Sequence, residues 1–139
     1  MTDQPSAPEP DVAACPCGSA WPYERCCGRL HRGEARAATA EQLMRSRFSA
    51  FAVGDAAYLL ETWHPSTRPR RVRFDPGRRW VRLEVLGTHA GGMLDSEGTV
   101  EFVAHHERDG DRAELHEVSA FVRDDGHWRY LGPVDASLD

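Results

Sequence analysis

Lysine is absent from this chain: all seventeen basic residues among its 139 are arginine. With abundant Ala, Gly and Asp beside them, that reads as codon bias, so arginine alone carries no functional weight. Long apolar runs are missing as well, and none approaches the roughly 18–20 residues of a membrane-spanning helix. The opening MTDQPSAPEPDVAA has neither a basic start nor an apolar segment. No signal peptide is therefore expected, residues 1–12 read as a disordered lead-in, and the cytoplasm is the expected compartment. The net charge of -5 argues against general binding to nucleic acid or anionic membranes. Cysteine is lacking after position 27, and a chain of this length can bury a core without disulfides.

The cysteine that is present is concentrated in CPCGSAWPYERCCG, residues 15–28, as Cys15, Cys17, Cys26 and Cys27. Three chemistries suit four clustered thiols. Disulfides are disfavoured in a reducing compartment, and adjacent Cys26 and Cys27 are poorly placed to join each other. A redox pair normally uses Cys-x-x-Cys before a helix, which is missing, although Cys-x-Cys pairs can be redox-active. A metal site explains the most, because four thiolates complete a closed tetrahedral shell. Pro16 fixes φ and Gly18 lets the chain turn, so Cys15 to Ser19 can form a tight knuckle. PYERCCG can then add one helical turn that presents Cys26 and Cys27 and stops at Gly28. Zinc is the expected ion, and iron fits the same donors. With no open position, such a centre suits folding better than activation of water.

Thr39 and Gln42 fit a capping box, and Leu43, Met44, Phe48, Phe51 and Ala52 make one apolar stripe ended by Gly54. Asp55 can cap a second helix, AAYLLETWH, ended by Pro65. Beyond Pro69 the period changes to two. Strands are expected at 80–87, 99–107, 113–123 and 127–134, with a weaker one at RRVRF (70–74). Asp109-Gly110 and Asp125-Gly126 are hairpin turns that set the register. That register puts Val100, Phe102, Ala104, His106, Leu115, Glu117, Ser119, Phe121, Trp128 and Tyr130 on the face toward the helices. Val103, His105, His116, Val118, Ala120, Val122 and Leu131 fall on the other. The class is α+β, a helical pair packed on a curved antiparallel sheet.

Two resemblances follow from these segments. Cys15, Cys17, Gly18, Ser19, Cys26 and Cys27 resemble the SEC-C motif of the SecA translocation ATPase, whose pattern commonly has Gly and a basic residue where Ala20 and Trp21 stand. The whole, through CPCGS…CCG, LMRSRFSAF, YLLETWHPSTR and LHEVSAFVRDDGHWRYL, resembles the YchJ-like family. That family joins a SEC-C knuckle, here residues 13–33, to a nuclear-transport-factor-2-like cone, here 38–135. The resemblance implies metal ligation at the four cysteines. It also implies a partner among chaperone, translocation or ribosome components.

Such cones commonly enclose a pocket, and Tyr58, Trp63, His64, His106, Glu117 and Tyr130 are its candidate wall. Glu117, opposite Phe102, would be desolvated there and suited to act as a base, but pairing with Arg45 or Arg47 as a buried structural partner is the favoured expectation. His105 and His106 point to opposite faces and cannot share an ion, whereas His105 and His116 could meet diagonally on the outer face. Arg68, Arg70, Arg71, Arg73, Arg78 and Arg79 surround Asp75 and could bind RNA phosphates, or form an ordinary charged edge. The apolar outer-face residues could seat a second copy of the chain. The expected function is that of a non-catalytic zinc-containing adaptor, with a ligand-binding or enzymatic cone around Glu117, His106 and Tyr58 as the alternative.

Overall fold

The computed structural model describes residues 14–134. After a 3-10 turn at Tyr23–Arg25 come α1 (Cys27–His31), α2 (Ala40–Val53) and α3 (Ala56–Glu61). Four strands follow, β1 (Arg78–Ala90), β2 (Glu97–Arg108), β3 (Asp111–Asp124) and β4 (His127–Pro133), in an antiparallel meander of order β1-β2-β3-β4. The lead-in expected over residues 1–12 lies outside the described residues.

Local chemistry accounts for most boundaries. The Thr39 hydroxyl accepts from the Gln42 amide at 3.1 Å, and Gly54 closes α2 at φ 82. The reciprocal arm of the cap is displaced by one residue, since the Gln42 side chain takes the Ala38 amide at 2.6 Å. Asp55 caps α3 by accepting from the Tyr58 amide at 3.0 Å. That helix ends at Glu61, short of the expected Pro65, because the chain there pairs with the edge of the sheet. Tyr130 donates its amide to Thr62 at 2.7 Å and accepts that of His64 at 2.8 Å. A strand edge with open hydrogen-bonding groups outcompetes a further helical turn.

Both hairpin turns have positive φ throughout, at Asp109 (54), Gly110 (85), Asp125 (56) and Gly126 (82), as a type I′ turn requires. The pairing of β2 with β3 then runs unbroken and sets Phe102 across from Glu117. Val100, Phe102, Ala104, Phe121 and Trp128 are buried against Leu43, Phe48 and Leu59 of the helices. Each such large apolar side chain contributes about 1.5–3 kcal/mol on burial. Leu115 keeps the expected face, across from Ala104, but is 40% exposed. Leu131 stands as the extra residue of a bulge between the Phe121–Tyr130 and Ala120–Gly132 pairs, instead of directly opposite Ala120. The RRVRF stretch is not a strand, and β1 begins only at Arg78.

Candidate functional site

The four cysteines meet at one point because two short backbone devices bring them there. Cys15 donates its amide to Trp21 at 2.7 Å, and Gly18 donates to Cys15 at 3.1 Å with φ 92, which curls the first pair into a knuckle. The 3-10 turn then delivers Cys26, and Cys27 begins α1. Gly28 does not stop that helix, as the sequence suggests, but lies inside it. A Cβ there would stand 2.8 Å from the Tyr23 carbonyl oxygen, so its lack of a side chain permits close packing of the two turns.

All four sulfurs lie within 4.8 Å of one another, with Cys17 and Cys26 at 3.6 Å. Sulfurs held tetrahedrally at about 2.3 Å from zinc are separated by roughly 3.8 Å, so the set fits with little movement. Cys15, Cys17 and Cys27 are buried and Cys26 is half-buried; none is in a disulfide. The thiols of Cys17 and Cys27 hold Cys15 far below the ordinary thiol range, while Cys15 pushes Cys17 up to about 11 and Cys27 higher still. Four thiolates in this volume need a cation, and a coordinated thiol loses its proton outright. The donor set therefore fits a divalent metal. Among the described residues it is the cluster of ligating side chains placed to hold one.

Residues outside the motif support it. Ser19 Oγ lies 3.1 Å from Cys26 Sγ, and Ser49 Oγ on α2 lies 3.4 Å from Cys15 Sγ. Hydrogen bonds to ligand atoms orient them and tune their basicity. Arg45, also on α2, donates to the Cys17 carbonyl at 2.8 Å. His31 accepts from the Tyr23 hydroxyl at 2.6 Å and donates from Nε2 to the Ser46 carbonyl at 2.9 Å. Ser49 and His31 were not singled out in the sequence, and Arg45 was considered only as a partner for Glu117. Only the α2 register offered a signal: Arg45 and Ser49 stand four residues apart, one helical turn, and so share a face.

A second site lies between α2 and the inner sheet face, a cavity of about 280 Å³. Met44, Phe48, Phe51, Trp80 and Phe102 supply an apolar wall, and Arg47, Trp63, Glu117 and Tyr130 supply the polar groups. Of the six pocket residues expected from the sequence, Trp63, Glu117 and Tyr130 meet here. Tyr58 does not: its hydroxyl bonds Ser46 at 2.7 Å, and it lines a separate cavity with Leu43 and Trp128. Burial pushes the Tyr58 phenol up to about 12. His106 lies behind Trp80, with ring centroids 5.0 Å apart, and its Nδ1 is buried without a partner. His64 turns to Ser66 at 2.8 Å.

Glu117 has no hydrogen-bond or ionic partner among the described residues, and desolvation holds its carboxyl above the usual range. Neither expected arginine reaches it. Arg45 is bound to Glu41 and Cys17, and Arg47 turns to Leu59 and Thr62. On the outer face His105, only 9% exposed, bonds Glu84 at 2.7 Å, and His116 bonds Glu101 at 2.7 Å. The two histidines therefore face carboxylates instead of each other. Val103, Val118, Ala120, Val122 and Leu131 are half-buried on that face. Within the arginine-rich segment, Asp75 pairs with Arg108 of β2, Arg79 with Glu107, and Arg68 with the Trp63 carbonyl. Arg70, Arg71 and Arg73 are exposed.

A small α+β cone carrying a four-cysteine, metal-compatible knuckle at its N-terminal end is the class these features define. A family model described as the YchJ middle nuclear-transport-factor-2-like domain matches residues 39–133. The chain belongs to this YchJ-like family, whose curated relatives are called UPF0225 proteins. It is 56% identical over 116 residues to the UPF0225 protein of Streptomyces coelicolor, covering 84% of this chain and 90% of that protein. With the one from Corynebacterium efficiens it shares 48% over 121 residues, 86% and 92% of the two chains. Among solved structures it is similar to a SEC-C motif containing protein from Rhodopseudomonas palustris. That match has a TM-score of 0.75, 36% identity and coverage of 88% of this chain and all of the other. A second SEC-C motif containing protein, from Psychrobacter arcticus, matches with a TM-score of 0.73 and 26% identity over 90% and 84% of the chains.

Proposed function

We propose that this chain is a zinc-containing, non-catalytic binding protein of the cytoplasm, whose metal folds the N-terminal knuckle into a docking surface for another protein. The closure of the centre carries this reading: four thiol ligands, three of them buried, supply a full tetrahedral shell with no position for a substrate. Beside it Trp21 is 60% exposed, on a groove shared with Arg25 and Arg29. Tryptophan and arginine are the side chains that most often anchor protein interfaces. The resemblance to the SEC-C element of SecA directs the search to chaperone, translocation and ribosome components. Arg70, Arg71 and Arg73 add a candidate contact for RNA phosphates, and the outer sheet face is where a second copy would pack. A thiolate centre also suits a reducing compartment.

Elemental analysis of protein purified without added metal, beside a Cys26→Ser, Cys27→Ser variant, tests the reading. About one zinc per chain, lost in the variant while the sheet stays folded, is the expected result. Iron would redirect the reading toward redox or iron sensing, and protein without metal would overturn it.

The cavity favours a second reading, a cone that binds a small molecule. Its support is the unpartnered Glu117 beside open volume on an apolar wall. Binding of a small organic probe inside the cone, followed by amide and indole NMR shifts, tests it.

A further inference from the structure

Arg47 sits where a charge is costly. It is 4% exposed on α2, and no carboxylate pairs with it among the described residues. Its Nη1 protons go to the Leu59 carbonyl at 2.8 Å and to Thr62 Oγ1 at 2.7 Å. The guanidinium carbon stands 4.8 Å from the Trp63 ring centroid and 4.4 Å from that of Tyr130. Burial draws its pKa down to about 10, so the group remains a cation at neutral pH. Two neutral acceptors and two aromatic faces offset only part of the desolvation of a buried cation. The Nε and Nη2 protons find no acceptor among the described residues, and together they form the edge of the fork that matches a carboxylate bidentately.

That residue lines the cavity already described, and so does Trp63, whose buried indole N–H also lacks an acceptor. The remaining wall is largely apolar, and Arg78 and Leu115, both exposed, stand where the cavity meets solvent. At roughly 30 Å³ per water molecule, about 280 Å³ takes some nine water-sized units, the bulk of a phenyl ring with a short acidic arm.

We infer that the cavity takes a small monocarboxylate with an aromatic or branched apolar body, its carboxylate forked by Arg47 and its body among Phe48, Phe51, Trp80 and Phe102. The inference rests on the second reading above, that the cone binds a small molecule. Trp63 supplies a further donor to the anion. Glu117 lines the same wall, and desolvation already disfavours its charged form.

The test is NMR titration of the full metal-loaded chain with phenylacetate, 3-phenylpropanoate and 4-methylpentanoate, set against neutral phenylacetamide. The carboxylates are expected to shift the Trp63 indole N–H and the Arg47 Nε–H, and to bind about tenfold or more tightly than the amide. Arg47→Lys keeps the charge but loses the fork, and is expected to remove most of that preference. Arg47→Met serves as a second variant, expected to fold and to bind the amide and the acids alike. Equal binding of acid and amide by the unaltered chain would overturn the carboxylate inference and leave the cavity reading standing. Shifts confined to exposed arginines such as Arg70 and Arg71 would overturn the inference, and no shift at any cavity residue with any probe would overturn both.

Discussion

Arg45 Nη1 donates to the carbonyl oxygen of Cys17 at 2.8 Å, which ties the longest helix of the cone to the turn that carries half of the thiols. Glu41, one turn earlier, holds the same guanidinium at 3.0 Å through Nε. The knuckle is thereby oriented by the cone as well as by whatever ion the cysteines hold.

Replacing Arg45 with Ala should consequently loosen the metal centre without touching a ligand. Hydrogen bonds from charged donors contribute about 1.5–3 kcal/mol, and this one is part-buried, so a loss near the lower figure is expected. That corresponds to roughly tenfold weaker metal retention against a competing chelator. Unchanged retention would mean that the knuckle is held by its cysteines alone.

Ala20 adopts φ 74, in the left-handed region where any Cβ is strained. For a non-glycine residue that region costs roughly 1–2 kcal/mol. This is the position at which the SEC-C pattern commonly has glycine, and the backbone conformation explains the preference. Ala20→Gly should raise stability by about 0.5–1 kcal/mol, because relief of strain outweighs the greater freedom of glycine in the unfolded chain. The melting temperature of the metal-loaded protein measures it, and a lower value would argue against the left-handed turn.

Removal of the metal should unfold one part of the molecule and spare the other. The thiols pack mainly with one another and Tyr23, whereas the cone has its own core of Leu43, Phe48, Leu59, Val100, Phe102 and Phe121. Structural zinc commonly supplies about 10–16 kcal/mol of apparent binding free energy to a site that cannot fold alone. Hydrogen exchange after chelation should show lost protection at the Cys15 and Gly18 amides and retained protection in β2 and β3. Loss throughout the sheet would show that the two parts fold as one unit.

Glu117 sets the sign of one pH effect. Desolvation raises its folded pKa above the ordinary value of 4.5, so the folded state holds the proton more tightly than the unfolded one. The stabilisation from the neutral carboxyl is present in full below the unfolded pKa, and it is lost as pH rises through the folded value. Glu117→Gln should therefore melt higher than the unaltered chain at neutral pH and about equally at roughly pH 4. A variant that melts lower at neutral pH would mean that the carboxylate has a cationic partner in solution.

Much of the fold was legible because the signals are short-range. Thr39 and Gly54 bound a helix through hydrogen bonds and a φ value that neighbouring residues impose. Two Asp-Gly pairs force positive φ and so fix which residues of β2 and β3 stand opposite, which is how Phe102 and Glu117 could be paired in advance. The four cysteines are close in sequence, and short turns between them bring their sulfurs together. Gly28 was misread as a helix stop because what it accommodates, the carbonyl of Tyr23, belongs to a packing contact and not to a turn.

The cavity was legible only in part. Uniform use of arginine made each one look compositional, and Arg47, one turn from Met44 and Phe51 on the same stripe, was considered only as a partner for Glu117 and not as a binding group of its own. Tyr58, His64 and His106 were grouped with Glu117 by sheet face and helix proximity, yet they turn to Ser46, Ser66 and Trp80.

The sequence by itself determined the clustering of the four cysteines, the order of helices and strands, the hairpin register and the family. Each depends on residues a few positions apart or on a strict period. Only the tertiary structure decided which side chains share a cavity and which arginine is left with free donors. Those outcomes depend on the rotation of α2 over the sheet and on the pairing of Thr62 and His64 with Tyr130. That contact joins positions distant in the chain, where no local propensity reaches.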